Sequence, residues 1–423
     1  MRVKRTEQLW LKPSTTLSHF CHLSKNLYNE ANYAIKQSLK HHDQWIRYNQ
    51  LYHRLKLSTN YRQLPAKTAQ QTLRLIDKAW KSFFRTIKEW KLHPEKFKKK
   101  PRPPKYKKKD GEQLLVFTNQ QCCIKNGTVR FPKKLAFEVE VKTRLSDTTK
   151  LREVRVIPKG VDYMCEIVYQ KLIPPQQKSD TTRIAGIDLG VSNVITMVNN
   201  IGKPLIVVKD DGKGIKSINQ FYQKEKARLR SIYDRQGITD GKKMKRLEGK
   251  YERKSNNYTH KLSKRILNWC VQYGIGKLVI GYNPEWKQQV ELDKRTNQNF
   301  VLIPYLKIIN QVRYKAEEEG VAVKLVEESY TSKCSFLDNE PMAHQQHYAG
   351  RRVKRGLFRS AQGILINADV NGGYNIIRKS EPNAFTRVKA DGVGGCFGLH
   401  PVRWNLADDE IERSNLNHTA QIS

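Results

Sequence analysis

Residues 184–190 read Ile-Ala-Gly-Ile-Asp-Leu-Gly, an apolar run that ends on a carboxylate, Asp188. Such a run, closed by a turn, fits a strand buried on both faces. A carboxylate at its end is costly unless it is solvated, paired or bound to a cation. Working outward, Val194–Val198 and Leu205–Val208 read as two further strands separated by turns. A long basic helical stretch, 214–272, sets Leu262, Ile266 and Trp269 on one face. Leu278–Ile280 predicts a strand, 299–319 a helix, Val321–Val326 a strand and 368–379 a last helix. The element order is β-β-β-α-β-α-β-α.

Three meandering strands followed by alternating helix and strand is the order of an RNase H-like α/β domain. We assign it residues 181–380, with 211–272 as a basic helical insertion. In that fold the first strand and the last helix converge at one edge of the sheet. The last helix opens with Asn367-Ala-Asp369-Val-Asn371. Asp369 read alone is a helix-start acid, favourable beside the helix dipole. Read with Asp188, it becomes the second member of a carboxylate pair able to hold Mg²⁺. Two-metal phosphodiester cleavage needs a third acid, because two ions about 3.5–4 Å apart need their charge balanced. The fourth strand, where that acid is expected, ends in Val279-Ile-Gly281-Tyr-Asn283 and offers glycine instead. Glu285 follows too late, in a loop. The next strand ends in Glu327-Glu328-Ser-Tyr330. Alternation along a strand sends these two acids to opposite faces, so at most one points at the site.

The other half of the chain has a different character. Residues 1–12 form one strand, and 15–92 is helical. There Leu73, Ile76, Trp80, Phe83, Ile87 and Trp90 recur every three or four residues as a core-facing stripe. Residues 96–109, KFKKKPRPPKYKKK, hold nine basic residues and no acid. Prolines exclude a helix there. Lys98, Lys99, Lys100, Arg102, Lys105, Tyr106 and Lys107 are candidates for nucleic-acid contact. Short β-branched runs from 113 to 172, with turns at Asn126-Gly127 and Lys159-Gly160, predict a small antiparallel barrel or sheet that the N-terminal strand completes.

The chain has 423 residues and 79 Lys plus Arg against 40 Asp plus Glu, a net charge of +39. Such a charge resists compaction unless a polyanion neutralises it. Residues 1–110 hold 27 basic and 7 acidic residues, and 211–270 hold 17 and 6, so the charge is concentrated within folded segments. Nucleic acid is the partner this implies. No run of about 18 apolar residues suggests a membrane span, and we expect a soluble, cytoplasmic protein. Seven cysteines, an odd number with no C-x-x-C, argue against a disulfide framework. Cys334, His344 and His347 lack a fourth ligand, so a zinc site is not expected. The tail, 381–423, is Gly- and Asn-rich in part, carries 4 basic and 6 acidic residues, and is expected to be mobile.

Several segments, in order, resemble TnpB, the OrfB-type protein of small bacterial insertion sequences and relative of type V CRISPR effectors. They are KKKPRPPKYKKK, IAGIDLGVSN, LVIGYNPEWKQ, EESYTSKCSF, GRRVKRGLFRS and NADVNGGYNIIRK. The resemblance implies a multidomain α+β protein. Residues 1–12 and 111–180 would form a wedge β-barrel, 13–110 an inserted helical recognition lobe with its basic linker, and 181–380 a RuvC-type nuclease domain. It implies an RNA-guided DNA endonuclease that binds a structured guide RNA from the end of its element and cuts DNA beside a short motif. Asp188 and Asp369 match the family's first and last catalytic acids. Glu328 matches a variant whose middle acid has moved to this strand, with Glu327 as the alternative. The family's zinc-ribbon cysteines are absent, while the basic loop with Arg351, Arg352, Lys354 and Arg355 remains a nucleic-acid contact. Two rival readings stay open. Gly281 motivates a nuclease-inactive RNA-guided repressor. A transposase that itself joins strands is disfavoured, because the His pair of the tyrosine type, H-x-H, is missing.

Overall fold

The computed structural model describes residues 1–135, 140–174, 180–209, 214–239, 241–283, 302–385 and 398–404. The chain divides into two compact units. One is Met1–Pro174 with Gly241–Gly249, and the other is Pro175–Asp240 with Lys250–Ser423.

The first unit begins with strand β1 (Arg2–Leu11) and four helices: α1 (Thr15–His42), α2 (Tyr48–Leu55), α3 (Thr59–Arg62) and α4 (Ala66–Leu92). Ser14 caps α1 by accepting from the Leu17 amide, and Asp43 ends it in the left-handed region. Pro65 precedes α4, and His93-Pro94 closes it. The stripe expected on α4 is buried at Leu73, Ile76 and Trp80 and only half-buried from Phe83 to Trp90. Then come β2 (Leu115–Thr118), β3 (Cys123–Lys125), β4 (Thr128–Arg130), β5 (Val141–Lys142), β6 (Lys150–Lys159) and β7 (Asp162–Leu172). They form two sheets, one four-stranded in the order β1-β7-β6-β2 and one three-stranded, β3-β4-β5. Strand β1 pairs antiparallel with β7 along its whole length, from Arg2↔Leu172 to Leu11↔Tyr163. The four helices therefore lie, in sequence, between strands of one sheet. Of the β-branched stretch expected from 113 to 172, residues 136–139 fall outside the described residues.

The second unit is built on β8 (Ile184–Asp188), β9 (Asn193–Asn199), β10 (Ile206–Lys209), β11 (Lys277–Gly281) and β12 (Ala322–Val326), with helices α5 (Ile215–Arg235), α6 (Lys242–Gln272, from Lys250 onward) and α7 (Tyr305–Glu319). The helical stretch expected from 214 is thus two helices, parted where Gly237 takes a positive φ of 64°. The remaining elements are β13 (Arg351–Lys354), β14 (Leu357–Arg359), β15 (Leu365–Asn367), helix α8 (Ala368–Ser380) and β16 (Val402–Arg403). The main sheet runs β12-β11-β8-β9-β10-β16. Strand β9 pairs antiparallel with both β8 and β10, and β11 lies parallel to both β8 and β12.

Both faces of the sheet are covered over β8, β9 and β11, which explains their unbroken apolar runs, while the edge strand β12 is largely exposed. Ala185, Ile187, Leu278 and Ile280 pack with Leu262, Ile266, Ile308 and Val312 from α6 and α7. Ile184, Val198 and Val279 pack on the other face with Val370, Tyr374, Ile376 and Ile377 of α8. There the helix comes very close: a Cβ on Gly186 would stand 2.8 Å from the Gly373 carbonyl oxygen. The expectation of a mobile tail from 381 fails in part. Phe385 is buried in the α8 core, and Val402 and Arg403 pair in parallel with β10, adding a strand to the sheet edge. Residues from 405 onward lie outside those described.

Candidate active site

The geometry of the site begins with the last residue of β8. Alternation puts Asp188 on the same sheet face as Gly186, towards α8. A Cβ on Gly372, in the first turns of that helix, would lie 3.0 Å from Asp188 Oδ2. A small residue there lets the carboxyl group sit against the helix. Asp369 stands in the first turn of α8. The capping work is done by Asn367, whose side chain accepts from the amides of Asp369 and Val370 at 3.0 and 3.2 Å. The Asp369 carboxylate is therefore left to face the site. Its Oδ2 accepts from Asn193 Nδ2 at 2.6 Å, and its Oδ1 lies 3.9 Å from Arg352 Nη2.

The acids after β12 take different roles. Glu327 is exposed and engaged: it accepts from the Ser329 amide and hydroxyl and pairs with Lys379 at 3.0 Å. Glu328 points inward. A Cβ on Gly281, at the end of neighbouring β11, would collide with Glu328 Oε1 and stand 2.6 Å from Ile376 Cδ1. The missing side chain at 281 thus opens the space that the Glu328 carboxyl group fills. Glu328 Oε1 is buried and has no hydrogen-bond partner.

Electrostatics ties the acids together. Burial raises the Asp188 carboxyl well above the usual carboxylate range, and the charge of Asp369 adds to this; Arg352 and the Leu189 amide pull the other way. Burial likewise raises Glu328, reinforced by the charges of Asp188 and then Glu327. The three acids therefore interact as two pairs that share Asp188. Among the described residues no group of three His, Cys, Asp or Glu side chains is gathered around one ion position. The donor set still suits a hard divalent cation: oxygen ligands only, charges that repel, and one buried carboxylate oxygen with nothing to bond.

Beside Asp369 opens a cavity of about 780 Å³, bordered by Asn193, Lys209, Arg352, Arg355, His400 and Arg403. The basic residues expected on a loop stand on a three-stranded antiparallel sheet, β13-β14-β15, with Arg351, Arg352, Val353 and Lys354 exposed along β13. Arg355 follows in its turn and donates to Ser192 Oγ. Lys98 to Lys107 belong to the first unit. Cys334, His344 and His347 form no cluster. The Cys334 thiol donates to the Pro341 carbonyl at 3.3 Å, and His344 stands edge-on to the Tyr330 ring. Glu285 falls outside the described residues.

Sequence reading missed Asn193, Gly372, and the buried pair Asn371 and Asn375 on α8. Asn371 donates to the Cys334 carbonyl at 2.9 Å and accepts from the Phe336 amide at 2.9 Å. Asn375 donates to the carbonyls of Thr331 and Cys334. Together they anchor the segment that follows Glu328. Their signal was in the sequence: two amides at i and i+4 within an otherwise apolar helix face.

A family model described as a probable transposase, OrfB_IS605, matches residues 162–287, and a Cas12f1-like TNB domain model matches 305–376. The chain is 25% identical to the TnpB-like protein ORF457 of Acidianus two-tailed virus, over 88% of this chain and 85% of that protein. It is 26% identical to the CRISPR-associated endodeoxyribonuclease Cas12f1 of Sulfoacidibacillus thermotolerans, over 48% of this chain and 47% of that one. A solved Cas12f1–sgRNA–target DNA complex aligns with it at 16% identity and a TM-score of 0.36, covering 88% of this chain and 98% of that one. The chain is thus related in sequence to the TnpB-like and Cas12f1 proteins, as its motifs led us to expect.

Proposed function

We propose that this protein is an RNA-guided DNA endonuclease with a RuvC-type, RNase H-like nuclease domain. The observation that carries the reading is the fit between Gly281 and Glu328. A glycine stands where the middle acid is expected, and the carboxyl group of the adjacent strand occupies its space, facing Asp188. The sheet order β12-β11-β8-β9-β10, with α8 closing on β8, supports the fold assignment. Kinship to Cas12f1, named as an endodeoxyribonuclease, supports the activity.

In this reading Asp188, Glu328 and Asp369 would together hold the Mg²⁺ that the reaction requires. When bound, the metal supplies an activated water and stabilises the leaving oxygen of the phosphodiester. Asn193 keeps Asp369 turned toward the site, and Arg352 is placed to meet a phosphate of the strand entering the adjoining cavity. The 1–12 and 111–180 segments would serve as the wedge domain, and 13–110 as the recognition lobe. Their basic surface would hold the guide–target heteroduplex by its backbone, while base pairing reads sequence.

The decisive test starts with protein purified together with its RNA. Asp188→Ala and Glu328→Ala should abolish DNA cleavage in magnesium while retaining RNA, and Glu327→Ala should leave cleavage nearly intact. Undiminished cutting by Asp188→Ala would sink the assignment. Guided DNA binding without any cutting by the wild type would favour the second reading, an RNA-guided repressor, which the glycine at 281 first suggested.

A further inference from the structure

The basic segment after α4 is not a free linker, because α1 grips its backbone. Lys25 Nζ donates to the Lys109 carbonyl at 2.7 Å, and Asn32 Nδ2 donates to the Pro104 carbonyl at 3.1 Å. Asn29 makes both bonds to one residue: Nδ2 donates to the Lys107 carbonyl at 3.0 Å, and Oδ1 accepts from the Lys107 amide at 2.8 Å. Positions 25, 29 and 32 form one stripe on the helix. Asn32 is fully buried, and its oxygen is taken by Trp80 Nε1 at 2.9 Å, so its amide is fixed from behind.

These bonds use the main chain of the segment and leave its side chains in solvent. All of Lys105–Lys109 is exposed, and the Lys36 ammonium stands 4.2 Å from the Tyr106 ring centre. The strap runs antiparallel to about seven helix residues, or about 10 Å of helix axis. Four lysines are thus concentrated over the length of about three phosphates of one strand, at about 3.4 Å per phosphate. A disordered lysine tail would lose its freedom on binding; here the ordering is already accomplished by folding.

We propose that Lys25, Asn29 and Asn32 are positioning residues that hold Pro104–Lys109 as a rail of ammonium groups for the phosphate backbone of one nucleic-acid strand. The partner follows from charge: the 96–109 segment has no acid, and its exposed aromatic, Tyr106, is flanked by cations. The proposal rests on the nucleic-acid-binding reading above, and its test separates the two.

The main variant is Asn29→Ala, with the intact protein stripped of RNA as the reference. Trypsin should cut after Lys105 and Lys107 at least about tenfold faster in the variant, with the thermal midpoint nearly unchanged, because the held main chain resists proteolysis. Equal cutting of both proteins would overturn the positioning role. Fluorescence anisotropy with labelled single-stranded RNA, and separately with single-stranded DNA of the same sequence, gives the second readout. Asn29→Ala should weaken binding about tenfold with little change in salt slope, since no charge is lost. The triple variant Lys105→Ala, Lys107→Ala, Lys108→Ala should lower that slope by about two. The strand whose affinity falls more identifies the source of the backbone. Faster cutting of Asn29→Ala with unchanged binding would leave a strap with no role in recognition, which overturns the rail. If the triple variant also binds both strands unchanged, the nucleic-acid role of this segment fails with it.

Discussion

At the scale of single residues the site depends on one exchange, a carboxylate placed at 328 and a hydrogen at 281. Gly281→Ala should therefore behave as an overpacked core substitution, costing about 1–3 kcal/mol of stability, and should reduce cleavage by more than tenfold because Glu328 is displaced. The reciprocal exchange is more telling. If Glu328→Ala is inactive as proposed, adding Gly281→Glu to it should restore part of the cutting in magnesium, since the carboxylate returns to the same space from the neighbouring strand. Continued inactivity of a well-folded double variant would show that the two positions are not equivalent. Glu328 also buries an acid beside Asp188, and burial raises its pKa to about 8, so taking it up from the ionised unfolded chain costs stability at neutral pH. Glu328→Gln should raise the thermal midpoint by a few degrees in metal-free buffer, and Mg²⁺ should stabilise the wild type more than this variant.

At the scale of elements, α8 does two jobs. Its first turn presents Asp369, and its buried amides Asn371 and Asn375 tie down the segment after β12. Asn371→Ala leaves the Phe336 amide unsatisfied and should cost about 1–3 kcal/mol in chemical denaturation. Helix α7 carries a half-buried cation against α6: Lys315 donates to the His260 carbonyl at 2.9 Å and to Ser263 Oγ at 2.6 Å. Burial, with help from Lys264, lowers this lysine from 10.5 to about 8. Between those values the unfolded chain keeps the proton that the folded chain has lost. Stability should therefore gain a contribution as pH rises from about 8 to 10.5, and Lys315→Met should remove that part of the slope. Unfolding midpoints of the two proteins across this range check it.

At the scale of the whole molecule, two concentrations of the positive charge sit on described, folded segments. The 96–109 segment lies in the first unit, and the exposed cations of β13 lie in the second beside the acids. RNA affinity of the full chain should fall by orders of magnitude between about 50 and 200 mM salt. If the protein carries guide RNA as proposed, removing that RNA should lower the thermal midpoint, because neutralisation is lost.

What the sequence determined by itself was pattern. Apolar runs of two kinds marked the strands of a doubly covered sheet and the face of α4, and the run ending at Asp188 marked where a costly carboxylate must find a partner. The order of strands and helices then made Asp369 its neighbour in advance of any coordinates. Side-chain alternation said that only one of Glu327 and Glu328 could enter, without saying which. That choice needed the packing of β11 against β12, because the deciding feature is an absence: no atom beyond Cα at residue 281, across the strand boundary from Glu328. The grip of α1 on the basic strap was hidden for the same reason. Asn29 and Lys107 are 78 positions apart, and local periodicity carries no information about hydrogen bonds between segments so distant in the chain.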